Sequence, residues 1–212
     1  SFIGARNTVT TDTSQKIPSQ TNGNYLIIDS GKGTTDFSII QQQGNHIVKY
    51  DSHFRTGLPA SGQVLSYAFI EALDDLMEGL SLFELLIKAD ITFILAFMEK
   101  IESLKKNHMQ YKELDQTGID NLKRSIVKPT ESINASAKLA ILNDFIDAEF
   151  ISKNLRIPNS HQKVKSKIDK LIGKIVASVN YSGIESFHQV VLAGRAFKFE
   201  PFRKSLINIL SD

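Results

Sequence analysis

Three short apolar stretches separated by turn signals open the informative part of the chain, and they predict an antiparallel meander. Tyr25-Leu-Ile-Ile-Asp29 is the first strand, Asp36 to Gln42 the second and His46 to Ser52 the third. A glycine-rich turn joins the first two, and Gln43-Gly44-Asn45 has hairpin composition between the others. Upstream, residues 1–24 are polar, with Pro18 and a turn signal at Gly23. They predict a loop, or the truncated end of an element completed elsewhere.

Beyond residue 60 the apolar spacing lengthens to three and four. Leu65, Ala68, Phe69, Ala72, Leu73 and Leu76 mark one face of a helix, with Ser61 as its expected N-cap. Ser81 and Glu84 have capping-box spacing and open one or two helices reaching Asn107. Another helix is predicted from Ile119 to Val127, ahead of Pro129. Residues 130–150 are ambiguous, since Ala135 to Leu142 suits a strand or a helix. Ser160 is the expected cap of a long helix with Val164, Ile168, Leu171, Ile172, Ile175 and Val179 on its buried face, ending near Gly183. Gln189 to Ala193 reads as a strand, and Pro201 to Leu210 as a last helix. A meander, a helical insertion and then helix–strand–helix make an α/β plan. The core subdomain is expected from 25–80 and 160–212, with 81–159 as an inserted, mainly helical subdomain.

Composition narrows the options. The 212 residues, 42% of them apolar, suit one or two compact domains with an ordinary core. A net charge of +2 is too small to argue for nucleic acid or an anionic membrane, and neither is an expected partner. Lysines cluster at 163–174 but alternate with apolar residues, which describes a solvated helix face. Cysteine is absent, which rules out disulfides and thiolate zinc sites and fits a reducing compartment such as the cytoplasm. The longest apolar run, Ile91 to Met98, is too short to span a bilayer. The chain opens on Ser1 with no signal-peptide pattern, so a piece of a longer protein is expected.

The chemistry concentrates in Asp29-Ser30-Gly31-Lys32-Gly33-Thr34-Thr35-Asp36. A turn can surround a phosphate only if its backbone comes close and points several N–H groups inward. Glycine allows both, since it lacks Cβ and accepts positive φ. Thr34 and Thr35 add hydroxyl donors. Asp29 and Asp36 flank the turn, where carboxylates can hold a hydrated magnesium ion or orient an attacking water. The same residues also suit an ordinary tight hairpin.

A second stretch, Val190-Val-Leu-Ala-Gly194-Arg-Ala-Phe-Lys-Phe-Glu-Pro201-Phe202, is an apolar strand running into glycine and then a helix. Glycine at a strand end would let a flat ligand ring approach the backbone. Phe197, Phe199 and Phe202 suit helix packing better than a stacking platform. The five histidines are scattered without metal-ligand spacing.

Together the two stretches resemble the actin-like ATPase superfamily, most closely the seventy-kilodalton heat-shock chaperones. The first is similar to the family's D-x-G-x-G-T-x-D phosphate motif, the second to its adenosine motif. Gly57 is similar to the glycine that follows the third strand. Asp120-Asn-Leu-Lys123-Arg124 looks like the family's E-x-x-K-R helix. The resemblance covers roughly residues 25–212.

It implies a fold class, α/β: a ribonuclease-H-like lobe with a mixed sheet flanked by helices and a mainly helical inserted subdomain. It implies ATP or ADP and magnesium as cofactors. Gly31, Lys32, Gly33, Thr34 and Thr35 would contact phosphate, with Gly57 nearby. Asp29 would be catalytic, and Asp29 and Asp36 would hold metal through water. Asp120, Lys123 and Arg124 would face the nucleoside, with Gly194, Arg195 and Lys198 beneath it. Three positions depart from the pattern: Lys32 and Arg195 stand where glycine is usual, and Asp120 where glutamate is. Lys32 is expected to resist positive φ or to offer its ammonium to phosphate, and Arg195 to crowd or stack on the base.

The superfamily builds its site between two lobes, and these motifs belong to the second. The implied role is the second lobe of a chaperone-like ATP-driven switch, an ATPase only when joined to a first lobe. Its partners would be that lobe, nucleotide, and a protein client or further copies of itself. Other readings are a filament-forming actin relative, a sugar or acetate kinase relative, and a non-catalytic scaffold with a degenerate nucleotide site.

Overall fold

The structure, a computed structural model, describes residues 8–10, 22–44, 46–50, 57–77, 81–107, 112–127 and 133–211. They fall into two units, residues 1–64 with 167–212, and residues 65–166. Both crossings lie inside helices, unlike the junctions expected at 81 and 159. Helical periodicity runs through each crossing, so no linker signal marks it.

Eight strands are described: β1 (Thr8–Thr10), β2 (Gly23–Ser30), β3 (Thr35–Gln43), β4 (His46–Tyr50), β5 (Gly57–Leu58), β6 (Lys112–Glu113), β7 (Leu155–Arg156) and β8 (Gln189–Ala193). The first unit is built on a mixed sheet ordered β1-β8-β2-β3-β4, with β5 paired to β3. Strands β2, β3 and β4 form the expected antiparallel meander, while β8 runs parallel to both β1 and β2. Asn45 and Ser52 lie outside the described residues. Strand β1 falls in the stretch expected to be loop, and three residues are too few to show a period.

Strand β2 lies between two neighbours and carries a nearly continuous apolar run: Tyr25, Leu26 and Ile28 are all fully buried. Strand β3 alternates, with Thr35, Phe37 and Ile39 buried and Asp36 exposed. Register places Leu26 opposite Ile39 and Ile28 opposite Phe37, so these four share one face of the sheet. Val190 and Leu192 of β8 align with Leu26 and Ile28 and are buried with them.

Seven α-helices are described: α1 (Gly62–Leu76), α2 (Leu82–Lys88), α3 (Ile91–Asn107), α4 (Gln116–Val127), α5 (Ala135–Phe145), α6 (Ser160–Tyr181) and α7 (Glu200–Ser211). The expected apolar face of α6 is buried from Val164 to Val179. Ser160 is the first helical residue, not the expected cap; its hydroxyl is buried and makes no hydrogen bond among the described residues. In α7, Phe202, Leu206 and Leu210 form the buried stripe. Phe197 stacks on Phe202 at 5.0 Å between ring centroids, in keeping with the expected packing role.

The second unit is mainly helical. The predicted face of α1 is buried throughout. Ser81 accepts from the Glu84 amide and caps α2. Helix α4 begins at Gln116, three residues ahead of expectation, because the Asp115 carboxylate accepts from the Gly118 amide. The ambiguous stretch is helix α5, capped by Asn134 accepting from Ala137 N, and a π-helical turn follows over Ile146–Ile151. Leu139, Leu142, Ile146 and Phe150 are its buried side chains, and Lys100 of α3 ties down its end through Asn143 O and Asp147. Among the described residues no helix is long and apolar enough to cross a membrane.

Candidate functional site

At one end of β2 and β3 the alternation of side chains separates two kinds of chemistry. Asp29 lies directly opposite Asp36, and Ser30 directly opposite Thr35. Directly paired residues share a face, and successive residues point to opposite faces. Both aspartates are exposed, whereas Ser30 and Thr35 are fully buried. Two carboxylates thus stand side by side on the open face, above a buried pair of hydroxyls.

Each carboxylate rests against a glycine. A Cβ on Gly57 would lie 2.7 Å from Asp36 Oδ1, and one on Gly194 would lie 2.5 Å from Asp29 Oδ1 and closer still to Ser30 O. Gly194 also has φ +97°, a conformation that L side chains rarely adopt. Register explains its position: Ala193 of β8 aligns with Asp29, so the chain turns away at Gly194 beside the end of β2. The two sequence-distant motifs meet here. The space a Cβ would take at Gly194 is filled by β2 itself, so the missing side chain permits close strand packing.

Asp36 Oδ2 accepts from the Thr34 hydroxyl at 3.1 Å. The Asp29 carboxylate has no hydrogen bond or ion pair among the described residues. Like charges placed directly opposite across two strands repel. A fold that keeps such a pair is paired with a cation or stores the repulsion. Among the described residues no group of three or more His, Asp or Glu side chains comes together. Two carboxylates fit a magnesium ion that keeps most of its waters better than a dedicated protein cage.

The turn itself departs from expectation. Neither Gly31 nor Gly33 has positive φ, and Lys32 does not either, so the anticipated strain at Lys32 is absent. A Cβ on Gly33 would meet nothing within 4 Å, and one on Gly31 would meet only Thr34 O at 3.7 Å. Gly31 N donates to Thr34 O at 2.9 Å, closing the hairpin. The amides of Lys32, Gly33 and Thr34 have no acceptor among the described residues, and all three residues are exposed. Successive free amides in a turn are the raw material of an anion site. The Lys32 ammonium makes no ion pair among the described residues.

The turn's carbonyls face the other way. Gly31 O accepts from Gly62 N at 3.3 Å and from the Ser61 hydroxyl at 2.6 Å, and Lys32 O accepts from Gln63 N at 2.7 Å. The first turn of α1 is therefore docked on the Gly31–Thr34 turn. Gly62 permits this approach, since a Cβ there would lie 3.1 Å from Gly31 O and 3.4 Å from Ala196 Cβ. Ser61, expected to cap α1, gives its proton to Gly31 O. Its hydroxyl also lies 2.7 Å from Ser30 Oγ, which in turn is 2.9 Å from Thr35 Oγ1. Thr35 donates to Ala60 O at 2.9 Å. Thr35 is thus committed to the interior and is not the exposed hydroxyl donor expected of it; Thr34 remains exposed.

Arg195 and Lys198 are exposed on a 3-10 turn that follows Gly194, and Ala196 and Phe197 point inward. Arg195 has no positive φ, so a second glycine is not required by the backbone there. Asp120, Lys123 and Arg124 belong to α4, in the second unit. Their three- and four-residue spacing puts them on one helix face. Gln116 Nε2 donates to Asp120 Oδ1 at 2.9 Å, and Arg124 Nε to Asp120 O at 3.3 Å.

Ser30, Ala60, Ser61 and Gly62 were not legible as site residues. Ser30 and Thr35 carried a signal, because alternation places these polar side chains in line with Ile28 and Phe37 on the core face. Ser61 and Gly62 carried none, since their partners lie about thirty residues away.

No family model matches the chain, and no curated protein matches it. Among solved structures it is similar to Ta0583, an archaeal actin homolog, in native and selenomethionine crystals. Identity is 10% and the TM-score 0.38, over 90% of this chain. The chain spans 42% of the native structure's length and 41% of the other's.

Proposed function

We propose that the chain is a nucleotide-binding lobe of an actin-like ATPase, the second of two, with a ribonuclease-H-like core and a helical insertion. The observation that carries this reading is the meeting of Asp29, Asp36, Gly57 and Gly194 at one end of the sheet. Two acidic residues, a turn with free amides and a strand-end glycine come together from positions far apart in sequence. Among the described residues, the two carboxylates have no cationic partner and the three amides no acceptor, and a bound cation and anion would supply both.

In this reading ATP or ADP places its phosphates at Lys32, Gly33 and Thr34, with the Lys32 ammonium adding charge. Magnesium is held through water by Asp29 and Asp36 and neutralises phosphate charge. Asp29, whose carboxylate has no partner among the described residues, is the residue to orient a water. Arg195 and Lys198 flank the nucleoside. Within the superfamily the role is a chaperone-type switch or an actin-type filament. Phosphoryl transfer depends on positioning several groups at once, so one lobe binds nucleotide weakly and barely hydrolyses it.

Calorimetric titration of ADP and ATP into the chain, with and without magnesium, tests the reading. Magnesium-dependent binding supports it. The absence of heat at millimolar nucleotide leaves a scaffold whose nucleotide site has been lost.

A further inference from the structure

Beneath the carboxylate pair, three fully buried hydroxyls have more contacts than protons. Ser30, Thr35 and Ser61 own one hydroxyl proton each. Four oxygen–oxygen contacts need one: Ser30–Thr35 at 2.9 Å, Ser30–Ser61 at 2.7 Å, Thr35–Ala60 O at 2.9 Å and Ser61–Gly31 O at 2.6 Å. The two carbonyls can only accept. With Thr35 donating to Ala60 O and Ser61 to Gly31 O, the single Ser30 proton serves Thr35 or Ser61, never both.

A second arrangement uses the same three protons as a chain, Ser61 to Ser30, Ser30 to Thr35 and Thr35 to Ala60 O. In that state Gly31 O keeps only the longer bond from Gly62 N at 3.3 Å, and its close contact with Ser61 Oγ has no proton. An oxygen pair at that separation without a proton repels, so Gly31 O moves away from α1. An unmade buried hydrogen bond is costly, so each arrangement strains a different contact.

We propose that Ser61 is a two-position latch between α1 and the Gly31–Thr34 turn, and thereby a positioning residue for that turn. With its proton on Gly31 O the turn is held against the first turn of α1 by three bonds; with its proton on Ser30 it is loosened to the two backbone bonds from Gly62 and Gln63. Helix α1 leaves the first unit at Val64 and continues into the second. A ligand that draws the turn outward therefore acts on the start of a helix shared by both units. The latch stands on hydrogen bonds of the chain alone and does not require that the ligand be a nucleotide.

Native-state amide exchange on the full chain, without ligand, tests it through Gly62 and Gln63, whose amides donate to Gly31 O and Lys32 O. Ser61→Ala removes the latch, and exchange at both amides should rise about tenfold, the worth of one net hydrogen bond. Ser61→Cys, which keeps the size with a weak donor, should raise it less and serves if the alanine variant does not fold. Ser30→Ala removes the competing acceptor and leaves two protons for two contacts. It should fold, and exchange should stay level or fall severalfold. A passive structural network would speed exchange in both variants. Faster exchange in Ser30→Ala, or failure of that variant to fold, overturns the latch.

Discussion

Asp29 and Asp36 face each other across β2 and β3, while their neighbours Ser30 and Thr35 pair on the buried face of the same two strands. One alternation thus yields a charged, open face and a hydroxyl-lined, closed one. The repulsion between the carboxylates is the cost of the first.

Removing one of those charges should separate stability from binding. Asp29→Asn or Asp36→Asn relieves a directly opposed like pair, worth up to about 1 kcal/mol. Denaturant unfolding without ligand should show either variant at least as stable as the parent. Magnesium-dependent nucleotide binding should fall at least tenfold in both. A variant that lost stability and kept binding would place the metal elsewhere.

Two glycines should respond in opposite ways. Gly194→Ala puts a Cβ 2.5 Å from Asp29 Oδ1 at φ +97°, and strain of this kind costs about 1–3 kcal/mol. Gly33→Ala meets nothing within 4 Å and needs no positive φ, so its stability should change by less than about 0.5 kcal/mol. The same methyl lies where phosphate would approach, and binding should weaken. Thermal unfolding and nucleotide titration of the pair would show the crossover.

Acid should fray the start of α3 before the rest of the second unit. The Asp90 carboxylate accepts from Thr92 N at 2.7 Å, and that bond, followed by one from the Thr92 hydroxyl, holds its pKa below the usual carboxylate range. A lowered native pKa contributes stability above the unfolded value, and that contribution disappears as pH falls through the native one. Amide exchange in the first turn of α3 should quicken over that window. Asp90→Asn keeps an acceptor but does not titrate, and should flatten the response.

Much of this was legible in the sequence, for physical reasons that differ by residue. The faces of α1 and α6 follow from apolar spacing alone, and every position named on them is buried. Period two likewise separates Asp29 and Asp36 from Ser30 and Thr35. Local signals gave way where a partner lies far along the chain. Ser61 sits just ahead of α1, where the sequence expects a cap, but nothing local shows that its proton goes to Gly31 O, thirty residues away. Ser160 looks like a cap as well, yet it sits one residue inside its helix. The stretch 135–142 was undecided because its apolar residues suit either period, and the deciding feature was Asn134, whose side chain holds the first turn of α5. What occupies the place of a Cβ at Gly194 is not legible in its neighbours, since only the register of β8 on β2 brings Asp29 and Ser30 there.

The central claim is that Lys32, Gly33 and Thr34 hold phosphate beside a magnesium ion on Asp29 and Asp36. Amide chemical shifts of the chain, titrated with ADP and magnesium, test it most directly. The largest changes should fall at Lys32, Gly33 and Thr34, with smaller ones at Asp29, Asp36 and Gly194, and should shrink without magnesium. Shifts confined to other segments, or none at millimolar ADP, would contradict the account.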